Sequence, residues 1–521
     1  MKNNKFLLLT LITCLSLLSF AEFSYSQSTQ KSELDELRQM INELKKDNDE
    51  KTKEIEDLRK ENTQKIEVLE SKINKLAEEQ TEQPKVAVPV EKNSEDHKDD
   101  FYANEREFSD SYDFFDRVNK GDKPYKTIVS KGPFELKWGG YADLLASWYD
   151  HGPDQTRPGG SASDSRLEFD LARFVLELEG EMFAGIGFEA EIEFEHGGTG
   201  SALEIEFEEF GEFEQEVEKG GEVIIEELYL KKKFGDWGKL KAGRFYLAFG
   251  LIQFLNKPTD YLAARRPEAE LSILPAVWDE IGLSFEYYVN QNWTATLQLV
   301  NGLDSAFFGS LGFVREGQQG KFEMIKADGL AVVGRVDFKL PEFGFLVGTS
   351  AYYGFNTNAD RPEDDLDDVD SPLLMVDVHT ILQHGRWRGS GVAIFGHLWN
   401  AEEISERNAR LPNNLGAPRT AVSDKAFAAW AEVGYDINTY VGLDYLHRLE
   451  PFIRLDYYDT IFNPRDSVFD NPRFERTVYT GGLSYTFANS VFVKLDYGYR
   501  AIAASDLRNE STVNLAWGFV Y

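Results

Sequence analysis

The chain has 521 residues with 56 Lys+Arg against 90 Asp+Glu, a formal net charge of −34, and only one cysteine. That balance excludes a nucleic-acid partner, which needs a basic face, and the cysteine count excludes a disulfide framework or a cysteine-ligated metal. Aromatic residues at 13% and 42 glycines point to a large β protein with many tight turns.

Lys2 and Lys5 precede the apolar run FLLLTLITCLSLLSFA and the small polar residues Ser24 and Ser26, a pattern that predicts a secretory signal peptide over 1–26. Cys14 lies inside that run, and its LITC context fits a lipoprotein box poorly. No later stretch holds about 18 apolar residues, so no helical span is expected. Residues 31–80 carry aliphatics at spacings of three and four, among them Leu34, Leu37, Ile41 and Leu44, with Asn48 and Asn62 at core positions. This predicts a self-associating coiled coil, interrupted by a stutter between Ile55 and Ile66. Pro84 and Pro89 end it, and 81–132 is expected to be a linker followed by a segment, 101–132, without a legible period.

From Phe134 to the last residue the period is two. Phe134, Leu136, Trp138, Ala142, Leu144, Ala146 and Trp148 share one face, while Glu135, Lys137, Tyr141, Asp143 and Ser147 share the other. Sixteen such segments are expected near 134–149, 165–178, 186–195, 223–234, 239–249, 278–289, 293–301, 330–340, 343–353, 373–383, 387–398, 426–437, 449–459, 476–487, 491–499 and 512–521. Their connections alternate between long and short. Even strand number, alternation and two unlike rims together predict an all-β fold: a 16-stranded antiparallel transmembrane β-barrel over 133–521, preceded by the α-helical coiled coil. In the third of these segments Ile186, Phe188, Ala190, Ile192 and Phe194 would face lipid, and Glu189, Glu191, Glu193 and Glu195 the lumen.

The stretches GRFYLAFGL (243–251), WGGYADL in the first strand, ARFVLELEGEMF (172–183), IIEELYLKKKFG (224–235), LEPFIRLDYYDT (449–460) and TGGLSYTFANSVFVKLDY (480–497) occur in an order and spacing that resembles the phosphate-selective porin O/P family. The resemblance implies a homotrimer of barrels in the outer membrane of a Gram-negative bacterium, passing small ions or solutes by diffusion. It also implies that the third long loop, 250–277, folds into the pore, bringing Lys257, Arg265 and Arg266 to the constriction along with Asp260, Glu268 and Glu270. Where the family carries an arginine pair entering its second strand, this chain has Ala172 and Arg173. The terminal row Val513, Leu515, Trp517, Phe519 and Tyr521 resembles the strand signal read by the barrel-assembly machinery.

The expected function is therefore an outer-membrane porin, with its coiled coil in the periplasm, contacts to outer-membrane lipid and lipopolysaccharide, and a possible anion or phosphate preference. The alternative is a structural tether in which the barrel is an anchor. The acidic loop DRPEDDLDDVD (360–370) lacks EF-hand order, and the seven histidines show no metal-ligand spacing. With no GxSxG, Walker or HExxH context, neither a cofactor nor enzymatic chemistry is expected.

Overall fold

The computed structural model describes residues 126–521 apart from 133, 152–163, 198–202, 207–213, 218–221, 320–324, 326, 360, 362–368, 411–419, 445, 466–467 and 506. The expected signal peptide and coiled coil, most of the linker and most of the acidic loop 360–370 lie outside the described residues.

Nineteen strands are described: β1 Lys126–Lys131, β2 Phe134–His151, β3 Asp164–Phe183, β4 Ile186–Glu195, β5 Leu203–Glu206, β6 Glu214–Val217, β7 Glu222–Phe234, β8 Gly238–Tyr246, β9 Asp279–Tyr288 and β10 Trp293–Asn301, then β11 Leu330–Leu340, β12 Phe345–Gly354, β13 Leu373–His384, β14 Trp387–Leu398, β15 Lys425–Tyr435, β16 His447–Asp459, β17 Glu475–Phe487, β18 Val491–Ile502 and β19 Glu510–Val520. Sixteen of them, β2–β4 and β7–β19, pair antiparallel with their neighbours, and β19 returns to β2, so the sheet closes into a barrel. The strands match the sixteen alternating segments because a two-residue period presents one apolar and one polar row.

At the closing seam Leu515 lies opposite Ala146 and Val520 opposite Tyr141. Tyr521 and Gly140 then exchange backbone hydrogen bonds of 3.0 and 3.1 Å. Gly140 has φ +156°, and a Cβ there would sit 2.1 Å from the Val175 carbonyl oxygen, so only glycine lets β2 cross the seam.

Three features depart from the alternation. β1 lies in the segment that has no legible period and pairs with β2 alone, Lys131 opposite Phe134 and Lys126 opposite Trp138. The glutamate-rich stretch after β4 forms its own two-stranded sheet, β5 with β6, rather than extending the barrel hairpin. Pro341–Phe343 is a 3-10 turn closed by Gly344 at φ +56°, which moves the start of β12 from the expected 343 to Phe345.

Outward positions carry large exposed apolar side chains, including Leu230, Leu297, Val378, Ile453 and Leu495. Aromatic pairs flank the short turns: Phe234 with Trp237, Trp293 with Phe338, and Trp387 with Tyr435. The buried core lies within the barrel, where Phe249, Leu251, Ile273 and Trp278 from the segment joining β8 to β9 pack against Val333, Tyr352, Met375 and Trp430 of the wall.

Candidate functional site

The segment 247–278 joins neighbouring strands, yet it bonds to walls all round the barrel. The Gly250 amide donates to Asp377 Oδ2 (2.9 Å), Leu262 to Glu432 Oε1 (3.0 Å), Ala264 to Asp496 Oδ2 (2.6 Å) and Ala269 to Asp456 Oδ1 (3.1 Å). Wall cations serve its carbonyls: Arg335 donates to Gly250 (2.8 Å), Arg388 to Thr259 (2.8 Å), Arg454 to Arg265 (2.8 Å), and Lys494 to Tyr261 (2.6 Å) and Ala263 (3.0 Å). A loop bonded to strands β11 through β18 while anchored at β8 and β9 must cross the lumen. Buried backbone groups need partners, and the alternating signs on the inward rows supply them. The short helix α1, Glu268–Ile273, rides on this loop.

Glu270 is its keystone. Fully buried, it accepts from the amides of Leu251 (2.8 Å) and Ile252 (2.9 Å) and from Trp430 Nε1 (2.8 Å). Burial pushes its carboxyl up from the ordinary range, against those three donors. Gly250, at φ +70°, leaves room for it, since a Cβ there would lie 2.2 Å from Glu270 Oε1.

Glu268 pins the outer side of α1, accepting from Arg500 Nε (2.7 Å) and the Tyr458 hydroxyl (2.6 Å). Burial would raise its carboxyl, but the Arg500 guanidinium wins and brings it to about 2 from 4.5. The folded state thus holds this proton less readily than the unfolded chain, so the contact stabilises fully above about pH 4.5 and is lost as pH falls toward 2. Melting temperature in detergent should drop across that window, and Glu268→Gln should flatten this part of the profile. An identical acid limb in the two proteins would show that the contact contributes nothing.

Cavities flank the loop, and two of them are bordered by the charged residues singled out in the sequence. One of about 600 Å³ lies toward the long-loop rim, near Tyr149, His196 and the end of β18, and is lined by seven arginines against five carboxylates. The other, of about 170 Å³, lies toward the short turns, near Lys239 and Tyr288, with seven carboxylates against four cations.

The residues singled out in the sequence separate accordingly. Arg265 is exposed in the outer cavity, donating to Ser147 Oγ (3.1 Å) and the Tyr149 hydroxyl; Arg266 lines it too and donates to the Ala276 carbonyl (3.2 Å). Glu195 lines the same cavity. Arg173 is buried, bonded to Asp143 Oδ2 (3.1 Å), the Asn256 carbonyl (3.1 Å) and Asn256 Oδ1 (3.0 Å), with Glu193 3.9 Å away. Lys257 is buried on Glu177 (2.8 Å). Glu189 accepts from the Tyr229 hydroxyl (2.6 Å) and, with Glu191, lines the inner cavity. Reading by sequence alone missed Asp377, Glu432 and Arg388, whose only signal was charge at inward positions.

Residues 154–296 match the family described as Phosphate-selective porin O and P. An uncharacterized protein of Aquifex aeolicus (strain VF5) is 26% identical over 292 residues, 54% of this chain; the match spans only 59% of that relative. Among solved structures, the OmpF of Salmonella typhi in complex with daunomycin is 10% identical (TM-score 0.49), covering 76% of this chain and all of that one. The outer membrane channel DcaP of Acinetobacter baumannii is 12% identical (TM-score 0.45), covering 75% and 99% respectively. The stretch that builds the infolded loop and the glutamate wall is thus the one over which the chain matches the phosphate-selective porins O and P.

Proposed function

We propose that this protein is an outer-membrane channel for passive diffusion of small hydrophilic solutes, that it favours anions weakly, and that it works as a homotrimer. The closed barrel with an apolar outer surface supports the membrane setting. The observation that carries the anion preference is the pairing within the loop. Its acids Glu268 and Glu270 are held by Arg500 and by Leu251, Ile252 and Trp430, whereas Arg265 stays exposed in the arginine-rich outer cavity. Charges at a narrow, poorly screened passage outweigh those on outer loops, which salt screens within about 8 Å.

A trimer is supported by the wall itself. Val223 and Ile225 lie exposed on the part of β7 that precedes its pairing with β8 at Leu228, and an apolar strip on the wall is a surface that a neighbouring copy covers. The exposed row Val513, Leu515 and Phe519 on β19 fits the proposed engagement with the barrel-assembly machinery.

Reversal potentials in a KCl gradient test the reading. The parent should be weakly anion-selective, and Arg265→Glu/Arg266→Glu should shift the potential further toward cations than Glu191→Gln/Glu193→Gln shifts it toward anions. If the arginine change moves it no further than the glutamate change, the loop is not the filter.

A further inference from the structure

The inner cavity is lined by two residues whose buried donors have no hydrogen-bond partner among the described residues. Arg335 on β11 gives Nε to Asp337 (2.9 Å) and Nη1 to the Gly250 carbonyl, but its Nη2 is buried with no hydrogen-bond partner among the described residues. Gln253, on the loop, has its Nε2 in the same condition. Both side chains are more than nine-tenths buried, at 3% and 7% exposure, and both line the 170 Å³ cavity. Arginine can only donate, and a buried donor left unpaired is costly. A guanidinium and an amide N–H bordering one cavity are groups that take an oxyanion.

A bare anion would nevertheless meet an unfavourable field. Glu177, Glu189, Glu191 and Glu227 line the same cavity from β3, β4 and β7; Lys257 is paired with Glu177 at 2.8 Å, and Lys239 and Lys241 are both committed to Glu286 at 3.0 and 3.1 Å. Like charge on the wall disfavours an added carboxylate, while an ammonium on the same molecule would be drawn to the glutamates.

We propose that the inner cavity is a binding site for a small zwitterion, an amino acid whose carboxylate takes Arg335 Nη2 and Gln253 Nε2 and whose ammonium faces the glutamates of β3, β4 and β7. A cavity of about 150 Å³ holds benzene, so a ligand of six to eight non-hydrogen atoms by that rough measure fits here. The assignment rests on the channel reading only for the route by which the ligand arrives.

Isothermal titration calorimetry on the full chain in detergent tests it without requiring conduction. The probes are 4-aminobutanoate, butanoate and butylammonium. The zwitterion should bind at least about tenfold more tightly than either half-charged analogue, Gln253→Leu should weaken it about tenfold, and Glu191→Gln should weaken it without weakening butanoate. Gln253 Nε2 has no partner among the described residues, so its substitution separates ligand loss from loop release, which Arg335→Gln would mix. Butanoate binding as tightly as 4-aminobutanoate would overturn the zwitterion site in favour of a plain anion site. No binding to the parent, or an unaltered Gln253→Leu, would overturn it outright. A chain that binds 4-aminobutanoate but passes no current would refute the channel and leave this site standing; one that conducts without binding would do the reverse.

Discussion

Glu270→Ala should release the infolded loop and lower stability by roughly 3–6 kcal/mol, because it orphans the buried amides of Leu251 and Ile252 and the Trp430 indole N–H, each worth about 1–3 kcal/mol when left unsatisfied. Glu270→Gln keeps an acceptor oxygen for the two amides and should lose much less. In planar bilayers the alanine protein should show larger and noisier single-channel conductance, because the loop crosses the lumen. Urea titration in detergent measures the stability change. An alanine variant that matches the parent in both would mean that the remaining wall contacts hold the loop alone.

Leu515→Arg is the second large effect. The side chain sits in the middle of β19, exposed on the outer surface between Ala146 and Leu495. An arginine there, near the membrane midplane, should cost about 2–4 kcal/mol in refolding titrations into lipid vesicles. Its neighbour Asn514 faces inward, accepting from Ser147 Oγ (2.7 Å) and donating to Asp496 Oδ1 (2.8 Å). Asn514→Arg gives up those bonds but places its charge in the outer cavity that Asn514 lines, so it should fold and shift the reversal potential toward anions. The opposite ranking would put every side chain of β19 on the wrong face, as a one-residue slip does.

The strands were legible because a period of two repeats over whole segments. The lumen row Glu189, Glu191 and Glu193 followed from it directly, and all three are buried on the face turned from the apolar row. Helix α1 was not legible: six residues make fewer than two turns, too few to show a period. The fastening of the loop was hidden for another reason. Asp377, Glu432 and Asp496 lie 127, 170 and 232 positions from the amides they accept, and nothing local marks a carboxylate as the acceptor for so distant a backbone group. Arg335 with Asp337 and Arg454 with Asp456 pair along their own strands, and in addition hold the loop.

That separation along the chain sets an order of events during biogenesis. Residues 250–270 are synthesised and exported well before β15, β16 and β18, which carry Glu432, Asp456 and Asp496. Until those strands have joined the sheet, the amides of Leu262, Ala264 and Ala269 have only water to bond, and contacts of such long range form late. Narrowing of the lumen therefore waits on closure of the seam between β19 and β2. A barrel stalled before its last strands arrive would be wide and unlatched, which makes protease access to 250–270 a direct report of whether assembly has finished.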